Sequence, residues 1–350
     1  MAKEKGIVKE GEVSLISEKT RSMVGRELNI YSPEFSEEFV GPQDFELRES
    51  IEVTKQDLKR FTDVIGDPNP MWETIAPPTF ILNFDFVHYM VEMLLSMRNM
   101  EVIKLGFNGG QELEFYVPIR MGDVITYTGK VLSAEEKTTR RGDKLALTVF
   151  EVYYTNQRGE LAAKYKMTLV DMATLYPKHD EDALPRPRPL AEEMLKATLL
   201  KRGLLEVVKR KQLNYCDVNV GDEIPSLVQP VTSRRLIRWA EISHDQHEWH
   251  YDFDIAHEVW GMPRVIVNGA LVLTFLGRLM TDYIGEKGIL KNFGATYRHP
   301  QYLGDDVTCK GKVVNKYVKD VEHCIELEFW AQNPRETICI IGEAIAILPE

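Results

Sequence analysis

The sequence predicts an α+β protein built from two tandem copies of one unit, each an antiparallel sheet wrapped round a central helix. Three observations predict it: an internal repeat whose blocks keep their order, one nearly all-apolar helical stretch in each half, and a run of strand-like segments after each stretch. A chain of 350 residues has room for two such units. The repeat is plainest in "PIRMGDVITYTGKV" (118–131) and "PQYLGDDVTCKGKV" (300–313). Pro118, Gly122, Asp123, Thr126, Gly129, Lys130 and Val131 each recur 182 positions later. Upstream, Thr54, Leu58, Arg60 and Asp67 recur 178 positions later in "TSRRLIRWAEISHD" (232–245). "VGRELN" (24–29) likewise resembles "VGDEIP" (220–225). Chance similarity would not preserve this order, so the halves are homologous.

The elements follow in the same sequence in both halves. A helical segment (55–66; 233–243) leads into an Asp-initiated motif. A loop follows, then an apolar helix (80–97; 270–284) that must be buried nearly all round. Strands are predicted at 111–117, 123–133, 144–155 and 161–172, and again at 293–299, 305–316, 323–332 and 337–348, on their β-branched and aromatic content. "GFNGG" (106–110) reads as a flexible turn, since it lacks the lysine and helix of a phosphate-binding loop. Gly122-Asp123 and Gly304-Asp305 read as turn residues before strands. The expected units are 1–173 and 213–350. The Pro-rich, charged stretch "YPKHDEDALPRPRPL" opens a linker over 174–212, and "AEEMLKATLLKRGLLEVVKRK" within it has the spacing of an outer linking helix.

Composition narrows the function classes. A net charge of −11 argues against a nucleic-acid surface. The first residues, "MAKEKGIVKEGEVSL", lack the apolar core and cleavage site of a signal peptide. The apolar run near 80–97 is interrupted by Asn83, Asp85, His88 and Glu92, as suits a buried helix rather than a membrane span. Cys216, Cys309, Cys324 and Cys339 form no CxxC pair, so neither a disulfide framework nor a thiolate zinc site is expected. A cytoplasmic setting is the default.

The chemistry-bearing residues concentrate in the two Asp motifs. "DPNPMW" (67–72) and "DQHEWH" (245–250) share a frame, but the first ends in Trp72 and the second in His250. The frame Asp-x4-His, a following Gly that opens an apolar helix, then "P-x3-GD" and "GKV", resembles the MaoC-like (R)-specific enoyl-CoA hydratases and dehydratases of the hot dog fold. "APPTF" (76–80) resembles the helix start in the N-terminal half of double hot dog members. The likeness spans roughly residues 20–173 and 213–350. The family signature is usually Asp-x-Asn-Pro-x-His. Here the first half keeps Asp67, Asn69 and Pro70 without the imidazole. The second keeps Asp245 and His250 but has His247 and Glu248 in place of Asn-Pro, and Asn268-Gly269 where many members have His-Gly.

The resemblance implies a reversible hydration of a trans-2-enoyl-CoA, with CoA entering only as part of the substrate and no cofactor or metal. Such a reaction needs a base for water, an acid for the α-carbon and donors for the thioester oxygen. By resemblance, Asp245 and His250 take the acid/base roles and the Gly269 N–H an oxyanion contact. Trp72, His247, Asn268 and Arg298 are the substrate-binding candidates. Trp72 cannot accept a proton, its indole nitrogen being only a donor, so the N-terminal half is expected to line the acyl pocket and the C-terminal half to carry the chemistry. The second half also has about twelve more residues between its motif and its glycine. This stretch, "YDFDIAHEVWGMPRVIVN", resembles the overhang that covers the family's active site.

Plainer readings stand beside these. Asp245 and His250 could be an ordinary polar helix end. His244, His247 and His250 fall at intervals of three and with Asp245 could ligate a metal, but such steps drift round a helix. Asp67 fits a loop brace better than a catalyst. Arg298, His299, Lys310 and Lys312 could meet CoA phosphates or form a solvated basic face. A thioesterase and a non-catalytic acyl-CoA binding protein are the alternatives. Exposed strand edges predict a homodimer, and a branched or mesaconyl-type acyl group is a candidate substrate.

Overall fold

The computed structural model describes residues 14–28, 50–99, 102–103, 105–139, 142–173 and 210–350. Nearly all of the expected linking helix therefore lies outside the described residues. In the first half a short helix α1 (Glu18–Met23) and strands β1 (Glu27–Leu28) and β2 (Ile51–Glu52) precede α2 (Lys55–Ile65) and α3 (Asp85–Ser96). Strands β3 (Leu105–Phe115), β4 (Val124–Thr138), β5 (Lys144–Asn156) and β6 (Leu161–Met172) follow. The second half repeats the plan: β7 (Glu223–Gln229), α4 (Ser233–Ser243), α5 (Gly269–Ile284), then β8 (Ile289–Tyr297), β9 (Val307–Lys319), β10 (Glu322–Gln332) and β11 (Ile338–Ile347).

The repeated residues have repeated jobs. Thr54 and Thr232 are the N-caps of α2 and α4, their hydroxyls accepting from Asp57 N–H and Arg235 N–H. Gly122 and Gly304 have φ of 84° and 89° in the turns that feed β4 and β9. The Asp that follows each braces its turn: Asp123 accepts from Arg120 N–H, and Asp305 holds Arg264 through two bonds of 3.0 and 2.9 Å. Gly129 and Gly311 let the central helices lie close on the sheet. A Cβ on Gly129 would stand 3.0 Å from Phe86 of α3, and one on Gly311 would meet Met280 of α5 at 3.5 Å and Ile224 at 2.8 Å.

Among the described residues the strands form one antiparallel sheet in the order β1-β4-β5-β6-β3-β8-β11-β10-β9-β7, with β2 also on β4. Each half contributes a contiguous block, and the blocks join where β3 pairs with β8, from Gly110 opposite Thr296 to Glu114 opposite Asn292. The sheet curves round α3 and α5, whose apolar residues, among them Phe86, Met90, Phe275, Leu276 and Met280, are buried in one core shared by both halves. The chain has the double hot dog architecture.

Two expectations are corrected. "GFNGG" is not a turn but the start of β3, with a bulge between Asn108 and Gly110. Its glycines answer to packing: a Cβ on Gly106 would collide with the Arg98 guanidinium, and one on Gly109 with Val170. The apolar stretch 80–97 is not one helix. A 3₁₀ segment, Pro78–Asn83, is separated from α3 by Phe84 in extended conformation (φ −84°, ψ 135°).

Candidate functional site

A cavity of about 280 Å³ opens between the two halves. Its apolar wall includes Leu82, Phe84, Val87 and Val91 from the first half, and Trp249, Trp260 and Ile266 from the second. The stretch from 251 to 268 covers one side, packing Ala256 and Met262 against Phe107, Trp249 and Trp260. Asp245, His247, His250, Asn268, Gly269 and Arg298 all line this cavity.

The loop that brings them there starts at the end of α4. His244 caps that helix in the left-handed region (φ 59°), which turns the chain sharply. Asp245 follows, its N–H bonded to Ser243 Oγ, and a 3₁₀ turn over Glu248–His250 returns the imidazole to the same side. Asp245 Oδ2 and His250 Nε2 stand 3.9 Å apart. That is too long for a direct hydrogen bond.

Each group is fixed by its own partners. Asn268, the N-cap of α5, accepts from Ala270 N–H and Leu271 N–H through Oδ1 and donates through Nδ2 to Asp245 Oδ2. It therefore ties the carboxylate to the positive end of a sixteen-residue helix. Asp245 Oδ1 has no hydrogen-bond partner among the described residues. Burial pushes the Asp245 carboxyl up, but His250, His247 and His88 together with the Asn268 bond outweigh it and hold it below the usual range. His250 Nδ1 lies 2.8 Å from Ile266 O and donates to it, while the Trp249 indole N–H donates to Nε2 at 3.1 Å. Burial lowers the His250 pKa despite Asp245, so the ring is neutral with its only N–H on a carbonyl. Gly269 occupies the first position of α5, where an N–H has no intrahelical acceptor. A Cβ there would stand 2.6 Å from the Tyr297 ring.

A second cluster faces Asp245 from the other half. His247 Nε2 is 3.0 Å from Glu92 Oε1 on α3 and 3.9 Å from Asp245 Oδ1. Its ring stacks on Trp249 at 4.1 Å. His88, one turn before Glu92, has its Nε2 3.6 Å from the same Oε1. Burial lowers His247, but the Glu92 carboxylate 3.0 Å away and the charges of Asp245 and Glu248 prevail and raise it. Burial raises Glu92, yet the bond to His247 and its charge, with His88, leave it lowered. Burial lowers His88 itself. Glu92 and His88 were missed as site residues. The signal was present, since both interrupt the apolar run four positions apart, on one helix face.

Other candidates stand elsewhere. Trp72 does not line the cavity. It is 5% exposed, and its Nε1–H donates to Asp67 Oδ2 at 2.7 Å. Arg210 bonds the same oxygen at 2.7 Å, lies over the Trp72 ring at 5.2 Å and reaches Asp282 of α5. The indole is drawn inward because its donor finds a buried carboxylate. Lys310 and Lys312 lie on β9 away from the cavity, Lys312 paired with Glu328 at 2.8 Å, whereas Arg298 and His299 line it and are otherwise exposed. Among the described residues no His, Cys, Asp and Glu side chains converge as a metal-ligand set. No described helix is long and apolar enough to cross a membrane.

Comparison with known proteins shows what this chain is similar to. Residues 40–165 match a family model described as a FAS1-like dehydratase domain region. A mitochondrial 3-hydroxyacyl-[acyl-carrier-protein] dehydratase of Arabidopsis thaliana is 29% identical over 168 residues, 45% of this chain and 93% of its own. A solved structure titled MaoC-like dehydratase superposes with a TM-score of 0.67 at 17% identity, covering 95% of this chain and all of its own. A conserved Mycobacterium tuberculosis protein with a double hot dog fold superposes with a TM-score of 0.56 at 13% identity, covering 89% and 97%.

Proposed function

We propose that this chain, a MaoC-like dehydratase-family protein of double hot dog fold, reversibly adds water to a trans-2-enoyl thioester, giving a 3-hydroxyacyl thioester. The observation that carries the reading is the convergence of Asp245 and His250, 3.9 Å apart, on a cavity that Gly269 also lines. Asp245, ionised and with Oδ1 open, accepts a proton from the water. His250 joins the hold on that water as Nε2 exchanges the Trp249 indole N–H for a water O–H. As the water oxygen bonds to the β-carbon, charge moves to the thioester oxygen, which the Gly269 N–H meets at the helix start. A proton returned to the α-carbon completes the addition. Among the binding candidates, Asn268 acts by orienting Asp245, and Arg298 is placed at the rim for the thioester's carrier.

The carrier is proposed to be CoA. The Arabidopsis relative, named for acyl-carrier-protein substrates, makes the protein-bound thioester the second reading. The test is spectrophotometric. Enoyl-CoAs of short, long, branched and dicarboxylic type are offered, and the same acyl groups are offered on acyl carrier protein. Loss of the conjugated absorbance without release of free thiol is expected. Thiol release in step with that loss would make the protein a thioesterase. No change with any substrate would leave a binding protein.

A further inference from the structure

We infer that His247, gripped by Glu92 from the opposite half, is the acid that protonates the α-carbon. This rests on the hydration reading and deepens it. The ground is a proton count. Asp245 is ionised, and its Oδ2 is already bonded to Asn268. His250 holds one N–H, spent on Ile266 O, and its other nitrogen receives the Trp249 indole. The couple that holds water has no proton to give, yet the α-carbon must receive one.

His247 supplies it. Its Nε2 lies 3.0 Å from Glu92 Oε1, and the ring lines the cavity, braced by the Trp249 face. A carboxylate at hydrogen-bond distance keeps an imidazole charged. The charged and titratable groups round it are Glu92, His88 and, beyond them, Arg98 from the first half, with His244, Asp245, Glu248 and His250 on its own loop. Glu92 carries the balance, since its Oε1 stands 3.0 Å from the ring nitrogen whereas Asp245 Oδ1 stands 3.9 Å away.

The steps balance. Asp245 Oδ1 takes a proton from water as the oxygen–β-carbon bond forms, and the π pair moves toward the thioester as enolate. The enolate pair then takes the Nε2 proton of His247, forming the α-carbon–hydrogen bond and restoring the carbonyl. Asp245 is left protonated and His247 neutral. Their facing atoms, Oδ1 and Nε2, are 3.9 Å apart, too far for direct transfer, so exchange with water in the cavity takes the proton from Asp245, returns one to His247 and resets the site. Each half thereby contributes to one active site.

The experiment compares wild type with Glu92→Gln, Glu92→Asp and His247→Gln in hydration of an enoyl thioester the wild type turns over. Far-UV circular dichroism checks that each variant is folded. We expect kcat to fall by about 100-fold or more in Glu92→Gln and His247→Gln, with KM nearly unchanged. Glu92→Asp should recover part of the rate. The imidazolium must be present, so kcat falls as pH rises through the His247 pKa. Removing the Glu92 charge lowers that pKa, and the alkaline limb of Glu92→Gln should move to lower pH. Wild-type kcat in folded His247→Gln or Glu92→Gln, or a change in KM alone, would overturn the role of His247 and leave the hydration reading standing. A wild type that hydrates no enoyl thioester would overturn both.

Discussion

The loops after α2 and α4 begin alike and end in opposite chemistry. In both, a residue in the left-handed region (Gly66, φ 71°; His244, φ 59°) closes the helix and an aspartate follows. Asp67 is 3% exposed and its oxygens are consumed: Oδ1 by Asn69 N–H, Oδ2 by the Trp72 indole and Arg210. Asp245 instead keeps Oδ1 open and stands between two imidazoles. The facing helices differ in the same sense. α3 presents His88 and Glu92 to Asp245, while α5 presents Arg278 and Asp282 to the Asp67 side, where Arg278 bonds Gly66 O and Asp282. Two ancestral clefts at a pseudo-symmetric junction have thus diverged. One is filled by guanidinium–carboxylate pairing and the other is left hollow. A carboxylate whose lone pairs are all taken is structural, and one with an open oxygen beside a titratable partner can move protons.

The contrast can be broken at several points. The largest effect is expected in the open cleft. His250→Ala should lower hydration turnover by roughly 10²–10⁴-fold, the range of an acid/base contribution, while shifting thermal unfolding little; stopped or continuous absorbance assays measure it. Next comes the filled cleft. Arg210→Ala leaves the Asp67 carboxylate buried without its cation, and stability should drop by about 3–5 kcal/mol, read as a lower denaturant midpoint, with kcat of the folded protein retained. Trp72→Phe is milder. It removes one hydrogen bond to a carboxylate that keeps Arg210, so about 1–2 kcal/mol of stability should be lost, with KM unchanged because the ring does not touch the cavity.

What the sequence disclosed follows from distance along the chain. The repeat and most strands are patterns of neighbouring residues, and they were legible. So was the Asp245–His250 pair, since one loop carries both residues, and Gly269, since an apolar helix opens there. Glu92 was not read as chemical because its partner His247 lies in the other half, and the packing of the two halves brings them together. Trp72 misled because an indole in an imidazole's place reads as pocket lining, whereas its N–H is satisfied inward by Asp67. Arg210 falls in the basic end of the expected linking helix, where a cation reads as solvated. "GFNGG" reads as a turn from composition, but its glycines serve the close approach of Arg98 and Val170 to β3.

The division of labour is tested most directly by measuring enoyl-thioester hydration by Asp245→Asn and Asp67→Asn side by side, each normalised to its folded fraction. The account predicts a loss of about 100-fold or more for Asp245→Asn and wild-type turnover for Asp67→Asn. Equal losses in both, or a loss confined to Asp67→Asn, would contradict it.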